Sequence, residues 1–169
     1  MSTSRSTTTA PPGLDLVQRR LSENNSLAVL VTTHPERGEP QVAVVNTAVI
    51  DDPLNGEPRV AFVGRRGPKL ANLRRNPVAT LVVLAGWEWV AVSGAVELYG
   101  PDEPDPPLDA DAQRQLLRDV FFAAGGHHPD LAVYDQTMIE ERRCAVLVTP
   151  TRIWTNPAGS EHIAPEDAS

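Results

Sequence analysis

At 169 residues, 41% hydrophobic and 22% charged, the chain has room for one domain with a real core and hardly for two. Its net charge of −7 argues against nucleic acid or an anionic membrane surface as the main partner. The longest apolar runs, such as Ala28–Val31 and Val78–Ala85, are far too short to cross a bilayer, and a single cysteine cannot form an internal disulfide.

Met1–Pro12 is rich in Ser, Thr and Pro and has no apolar stretch. It reads as a disordered lead-in rather than a secretory signal, and a reducing cytoplasm is the expected location. Leu14, Leu16, Val17 and Leu21 at near-helical spacing predict a short helix over Asp15–Glu23. Leu27–Thr33 and Gln41–Ile50 flank a turn containing Pro35 and Gly38 and read as a hairpin; Asp51–Gly56 is another turn and Arg59–Gly64 a third strand. Pro68–Asn76 has Leu70 and Leu73 at helical spacing behind a proline that suits a helix start, and Asn76-Pro77 stops it. Strands return at Val78–Ala85 and at Trp87–Tyr99, the latter long enough to bend around Gly94.

Gly100–Pro107 is a stiff acidic linker expected to be a solvated loop. Ala110–Ala123 carries Leu116, Leu117, Val120 and Phe121 on one face of an amphipathic helix ended by Gly125-Gly126. A second helix is expected over Asp130–Arg142, then two short strands, Arg143–Val148 and Arg152–Trp154, and a disordered tail from residue 157. Hairpin-connected strands with helices inserted late predict a mainly β domain over residues 13–156, an antiparallel barrel decorated by helices, and not an alternating α/β chain.

The segment from Phe62 to Pro77 carries the most chemistry. Between Arg65 and Arg75 the chain has five cations and no acid. Gly64 and Gly67 bracket Arg65 and Arg66, and Pro68 and Lys69 open the following helix. A helix start presents unpaired N–H groups and the positive dipole end, and glycines let the main chain approach an anion. One phosphate could be held there by backbone donors and two or three cations; the competing reading is a solvated basic face. Lys69 is the chain's only lysine. Arg74 and Arg75 are read as surface or structural.

Other candidates are weaker. His127-His128 lacks the carboxylate or cysteine spacing of a metal site and reads as loop and cap, and His34 lies in an exposed turn. Cys144 sits in an apolar run, unlike a reactive thiolate. No Gly-x-Ser-x-Gly elbow is present. Trp87 and Trp89 alternate with Glu88, so both indoles are expected on one face, as core, interface or a wall against a planar ring.

Three stretches carry a resemblance: Gly38-Glu-Pro-Gln-Val42, Lys69-Leu-Ala-Asn-Leu-Arg-Arg-Asn-Pro77, and Gly86-Trp-Glu-Trp89 leading to Val92–Leu98. With Met138–Arg143 in the same order and spacing, they make the chain similar to the flavin/deazaflavin oxidoreductase superfamily, the split β-barrels related to pyridoxamine 5′-phosphate oxidase. It resembles most the branch dependent on coenzyme F420. The resemblance implies a six-stranded split barrel and a homodimer with two cofactor sites at the subunit interface. It would place Val44, Val45 and Asn46 beside the cofactor ring, and Val63, Gly64, Arg65, Arg66, Gly67, Pro68 and Lys69 around its phosphate. Trp87 and Trp89 would face the cleft from the same or the second subunit, and Arg142 or Arg143 would reach the site. Two departures stand out: Gly67 occupies a position where relatives can carry arginine, and Val44 one where a polar residue is sometimes found. The implied activity is hydride transfer between F420 and a small conjugated or aromatic acceptor. The alternatives are FMN-dependent oxidation or reduction and a non-catalytic flavin or deazaflavin carrier.

Overall fold

The computed structural model describes residues 13–156, so the two expected disordered ends lie outside the described residues. Helix α1 (Leu14–Glu23) leads into strands β1 (Leu27–Thr33), β2 (Pro40–Asp51) and β3 (Pro58–Gly64). Helix α2 (Pro68–Arg75) and strands β4 (Val78–Ala85) and β5 (Glu88–Tyr99) follow, then helices α3 (Ala110–Ala123) and α4 (Leu131–Glu140), and strand β6 (Cys144–Thr155). The strands close into one antiparallel barrel in the order β1-β2-β3-β6-β5-β4.

The strand alternation explains where the core sits. Leu30, Phe62, Leu81, Val90, Val92 and Val146 point inward, and α1 and α2 add Leu14, Val17, Leu21, Leu70 and Leu73 to the same buried cluster. Burying such side chains stabilises by roughly 1.5–3 kcal/mol each, so the helices that seal the barrel belong to its core. Strand β3 and residues 144–148 of β6 read as continuous apolar runs because both faces are covered. Their outward residues Ala61, Ala145 and Leu147 pack under Leu116, Leu117 and Val120 of α3. Among the described residues strands β1 and β4 have no such cover, and α3 covers β2 only toward its Ile50 end. Val42 and Val44 are 63% and 64% exposed, and Leu27 and Leu84 are exposed with them.

The structure departs from the sequence expectations in four places. The final two strands are a single strand, β6, with a register shift: Ser93 faces Arg152 and Gly94 faces Pro150, leaving Thr151 as the extra residue. Gly94 is required there, since a Cβ would lie 1.8 Å from the Thr149 carbonyl oxygen. Helix α4 ends at Glu140, and Arg142 adopts a left-handed φ of 48° in the turn before β6. Trp87 falls in the turn ahead of β5, so it does not alternate with Trp89 along a strand. The acidic linker is more than a solvated loop: Asp102 binds Arg142, and Glu103 grips Arg74 with contacts of 2.6 and 3.0 Å.

Candidate functional site

Helix α2 is fixed by its own sequence. Leu70 and Leu73 are fully buried, and the Asn72 amide donates to Gln41 Oε1 at 2.6 Å and Thr32 Oγ1 at 3.3 Å. Those bonds pin the helix to β1 and β2. Gly64 ends β3 so close to the helix that a Cβ would lie 2.7 Å from a Leu70 methyl carbon. Gly67, just before the helix, has φ 156° and ψ −168°, a conformation essentially confined to glycine. The arginine that relatives can carry at this position is therefore disfavoured at position 67 by backbone geometry. Lys69 is left at the mouth of a cavity.

That cavity, about 520 Å³, lies on the outside of the barrel between β2 and the α3–α4 hairpin. One wall is Val44, Val45 and Asn46 of β2 with Val63 of β3; Lys69 and Arg143 supply its cations. The opposite wall is Val120, Phe121, Ala124, Tyr134 and Met138, with Gly125-Gly126 between the helices and Asn25 at the edge. The Phe121 and Tyr134 rings stand 4.6 Å apart between centroids. Gly126 leaves room for the Phe121 ring, which a Cβ there would meet at 2.4 Å and force to shift. The Tyr134 hydroxyl donates to the Leu117 carbonyl at 3.2 Å, and burial pushes its pKa up to about 12, so it stays protonated near neutrality.

Six of the sequence-derived site residues thus meet in one cavity: Val44, Val45, Asn46, Val63, Lys69 and Arg143. Arg143, not Arg142, reaches it, since Arg142 turns away to Asp102. Gly64, Arg65, Arg66 and Gly67 form the turn beside Lys69 and do not line the cavity, while Pro68 lines a small neighbouring pocket that Lys69 also borders. Trp87, 61% exposed, and the half-buried Trp89 lie outside the cavity within the chain. Sequence reasoning missed the α3–α4 wall. By spacing alone Phe121 belongs to the apolar face of its helix and Gly125-Gly126 to a helix stop; a glycine pair behind an aromatic helix end is the signal the sequence offers.

The electrostatics single out the basic turn. Arg20, Arg37, Arg74, Arg75, Arg118 and Arg142 all bind carboxylates, whereas among the described residues Arg65, Arg66 and Lys69 make no salt bridge or side-chain hydrogen bond, a condition shared by the scattered Arg19 and by Arg152, which stacks on Trp154. Burial, then the charges of Arg143 and Arg65, hold the Lys69 ammonium below the ordinary lysine range. Arg143 is itself bound to Glu141 at 2.6 Å. The other sequence candidates have structural partners. His34 Nδ1 accepts from the Glu36 and Arg37 amides, and His128 Nδ1 from the Asp130 amide. Cys144 is buried, which pushes its thiol pKa up to about 12. Among the described residues no His, Cys, Asp and Glu cluster could hold a metal, and no helix is long and apolar enough to cross a membrane.

A closed six-stranded antiparallel barrel, with a helix after its third strand and a cationic pocket on its outer wall, defines a split-barrel protein. Residues 17–156 match the family model described as pyridoxamine 5′-phosphate oxidase, and the chain belongs to that family. Similar solved structures include a pyridoxamine 5′-phosphate oxidase-related, FMN-binding protein from Nostoc punctiforme. It is 16% identical, with a TM-score of 0.58, covering 88% of this chain and 86% of the other. A conserved hypothetical protein from Mycobacterium tuberculosis is 16% identical with a TM-score of 0.61, covering 99% of each chain. The heme storage protein HutZ from Vibrio cholerae is 12% identical with a TM-score of 0.52, covering 83% and 92%. At these identities the likeness is one of fold. No curated protein shows significant similarity.

Proposed function

We propose that the chain is an oxidoreductase that binds the deazaflavin coenzyme F420 and transfers a hydride between it and a small conjugated or aromatic acceptor. The observation that carries this reading is the row of cations without a partner among the described residues, Arg65, Arg66 and Lys69, beside a ring-sized cavity in a chain of net charge −7. Lys69 and the backbone of the turn suit one phosphate. Two further exposed arginines suit a cofactor whose phosphate continues into an anionic tail. The cavity lining holds no histidine or cysteine, which favours a flavin-type ring over a heme held by such a ligand.

When bound, the deazaflavin supplies the hydride chemistry. The chain's residues bind, orient and exclude water. Lys69 holds the phosphate, and Val44 offers an apolar bed on β2, where the Val45 side chain turns into the barrel core. Asn46 offers amide donors and an acceptor to the polar edge of a ring, and Phe121, Tyr134 and Met138 close the opposite side. Hydride transfer requires no protein nucleophile, and the cavity lining holds no serine, threonine, cysteine, histidine or carboxylate. A homodimer belongs to the same reading. Val44, Val29 and Val82 lie abreast on β2, β1 and β4, and Val44 borders both this uncovered apolar wall and the cavity. A second copy on that wall would close the site, and its Trp87 or Trp89 could then face the acceptor.

FMN is the second reading, favoured by the family itself and by a cavity large enough for the isoalloxazine ring. Fluorescence-quenching titrations with both cofactors test the choice. Tighter binding of F420, with turnover on an acceptor panel, is expected. FMN that co-purifies and turns over, with no affinity for F420, would replace the first reading by the second. Tight binding without turnover would leave a carrier.

A further inference from the structure

We infer that the acidic strap between β5 and α3 is a positioning device that holds Lys69 and Arg143 together against their mutual repulsion. Asp102 and Glu103 are adjacent and are flanked by Pro101, Pro104, Pro106 and Pro107. They grip two elements far apart in sequence. Glu103 binds Arg74 through both carboxylate oxygens, at 3.0 and 3.3 Å to Nε and 2.6 Å to Nη2, and Arg74 lies on α2, the helix that carries Lys69. Asp102 binds Arg142, at 2.7 Å to Nε, and Arg142 precedes Arg143 in the turn before β6. The strap thus ties the helix that delivers one cavity cation to the turn that delivers the other.

Such a tie answers a specific electrostatic problem. Glu141 pairs with Arg143 at 2.6 Å, yet the Arg143 charge still adds to burial in depressing the Lys69 ammonium, so without a bound anion the two cations repel. Arg142 also sits at φ 48°, an unfavourable conformation for a side-chain-bearing residue that persists only when its surroundings hold it. Main-chain bonds from the Arg142 N–H to the Ile139 carbonyl at 3.1 Å and from the Arg143 N–H to the Met138 carbonyl at 2.9 Å close this turn, and the Asp102 contact fixes the Arg142 side chain beside it. The Glu103 side chain is only 11% exposed, so its ion pair is partly shielded and is bidentate, the geometry in which such pairs count. A prearranged pair of cations binds an anion without first having to be assembled.

This inference rests on the cavity holding a phosphate-bearing cofactor, and the test separates the two claims. The readout is phosphate discrimination: the ratio of dissociation constants for riboflavin and FMN, and for the phosphate-free deazariboflavin and F420, measured on the full chain by fluorescence quenching. Glu103→Gln and Asp102→Asn should each lower the wild-type ratio roughly three- to tenfold while leaving the phosphate-free ligands' affinities unchanged. In a Lys69→Met background, Glu103→Gln should lower it no further. Asp102→Asn, on the more exposed strap residue, serves if Glu103→Gln fails to fold. A wild-type ratio near one for both cofactors would overturn the cofactor reading, and the strap's role with it. A large wild-type ratio that both strap variants retain would overturn the strap alone, as would equal losses for phosphate-bearing and phosphate-free ligands.

Discussion

Replacing Lys69 by methionine should move binding and stability in opposite directions. The ammonium is half-buried, has no carboxylate partner among the described residues, and is depressed by burial and by the charges of Arg143 and Arg65. A charge-assisted contact to a phosphate contributes about 1.5–3 kcal/mol, so the variant should bind the cofactor roughly 10- to 150-fold more weakly. The free protein should become more stable. A lysine with a lowered folded pKa binds its proton less tightly folded than unfolded. The resulting penalty is fully present below the folded pKa and is relieved as pH rises toward the ordinary lysine value. At neutral pH the penalty is in force, and removing the charge should raise the melting temperature by roughly 1–3 °C. Wild-type affinity should likewise fall on the alkaline side earlier than an ordinary lysine would dictate, while Lys69→Arg should not show that loss. Calorimetric melting of the cofactor-free protein, with cofactor titrations from pH 7 to 10, measures both effects. Unchanged affinity with intact folding would refute the phosphate role; a lower melting temperature would refute the electrostatic account.

Other substitutions test the frame around the site. Gly94→Ala places a Cβ against the Thr149 carbonyl and should cost more than about 4 kcal/mol, read as loss of soluble protein or a collapsed urea midpoint. Gly67→Arg should cost about 1–3 kcal/mol through its backbone conformation, without the tighter cofactor binding that an added charge alone would give. Arg59→Met strands the Asp52 carboxylate, which is 1% exposed and lies 3.4 Å from the Arg59 Nε. A loss of about 3–5 kcal/mol is expected in chemical denaturation, largely recovered by Asp52→Leu in the same chain. Cys144 should resist iodoacetamide at pH 8 in the native protein and react on unfolding, since burial holds its thiol near a pKa of about 12.

What was legible in the sequence, and what was not, follows from how local each signal is. Leu27–Thr33, Val78–Ala85 and Ala110–Ala123 have the bounds their patterns predict, because residue spacing alone encodes them. Strand β6 read as two because its proline and polar residues, Pro150, Thr151 and Arg152, look like a break. The partner strand absorbs them through a bulge that only Gly94 permits. The β2 and α2 sides of the cavity were visible as a resemblance and as a basic turn. The α3–α4 side was not, because Phe121, Gly126 and Tyr134 meet β2 only through tertiary packing. The linker's acids read as solvated because their arginine partners are 29 and 40 residues away.

The same long-range pairing bears on whether the basic turn is mere surface. Acids outnumber bases in this chain by 22 to 15, and most of its arginines have found a carboxylate. The strap passes near enough to Arg66 for that charge to lower the Asp102 carboxyl, yet Asp102 and Glu103 bind Arg142 and Arg74 instead. Chance placement in so acidic a chain would be expected to pair some of Arg65, Arg66 and Lys69 as well. An ordinary solvated face also has no use for Gly67 in a conformation that disfavours other residues, or for a lysine held half-buried against two like charges. Both are costs to the free protein, and local costs of this kind gather where a ligand repays them. An anion on the cavity side of the turn would repay both together, by neutralising Lys69 and by taking up the main-chain donors that Gly67 leaves accessible.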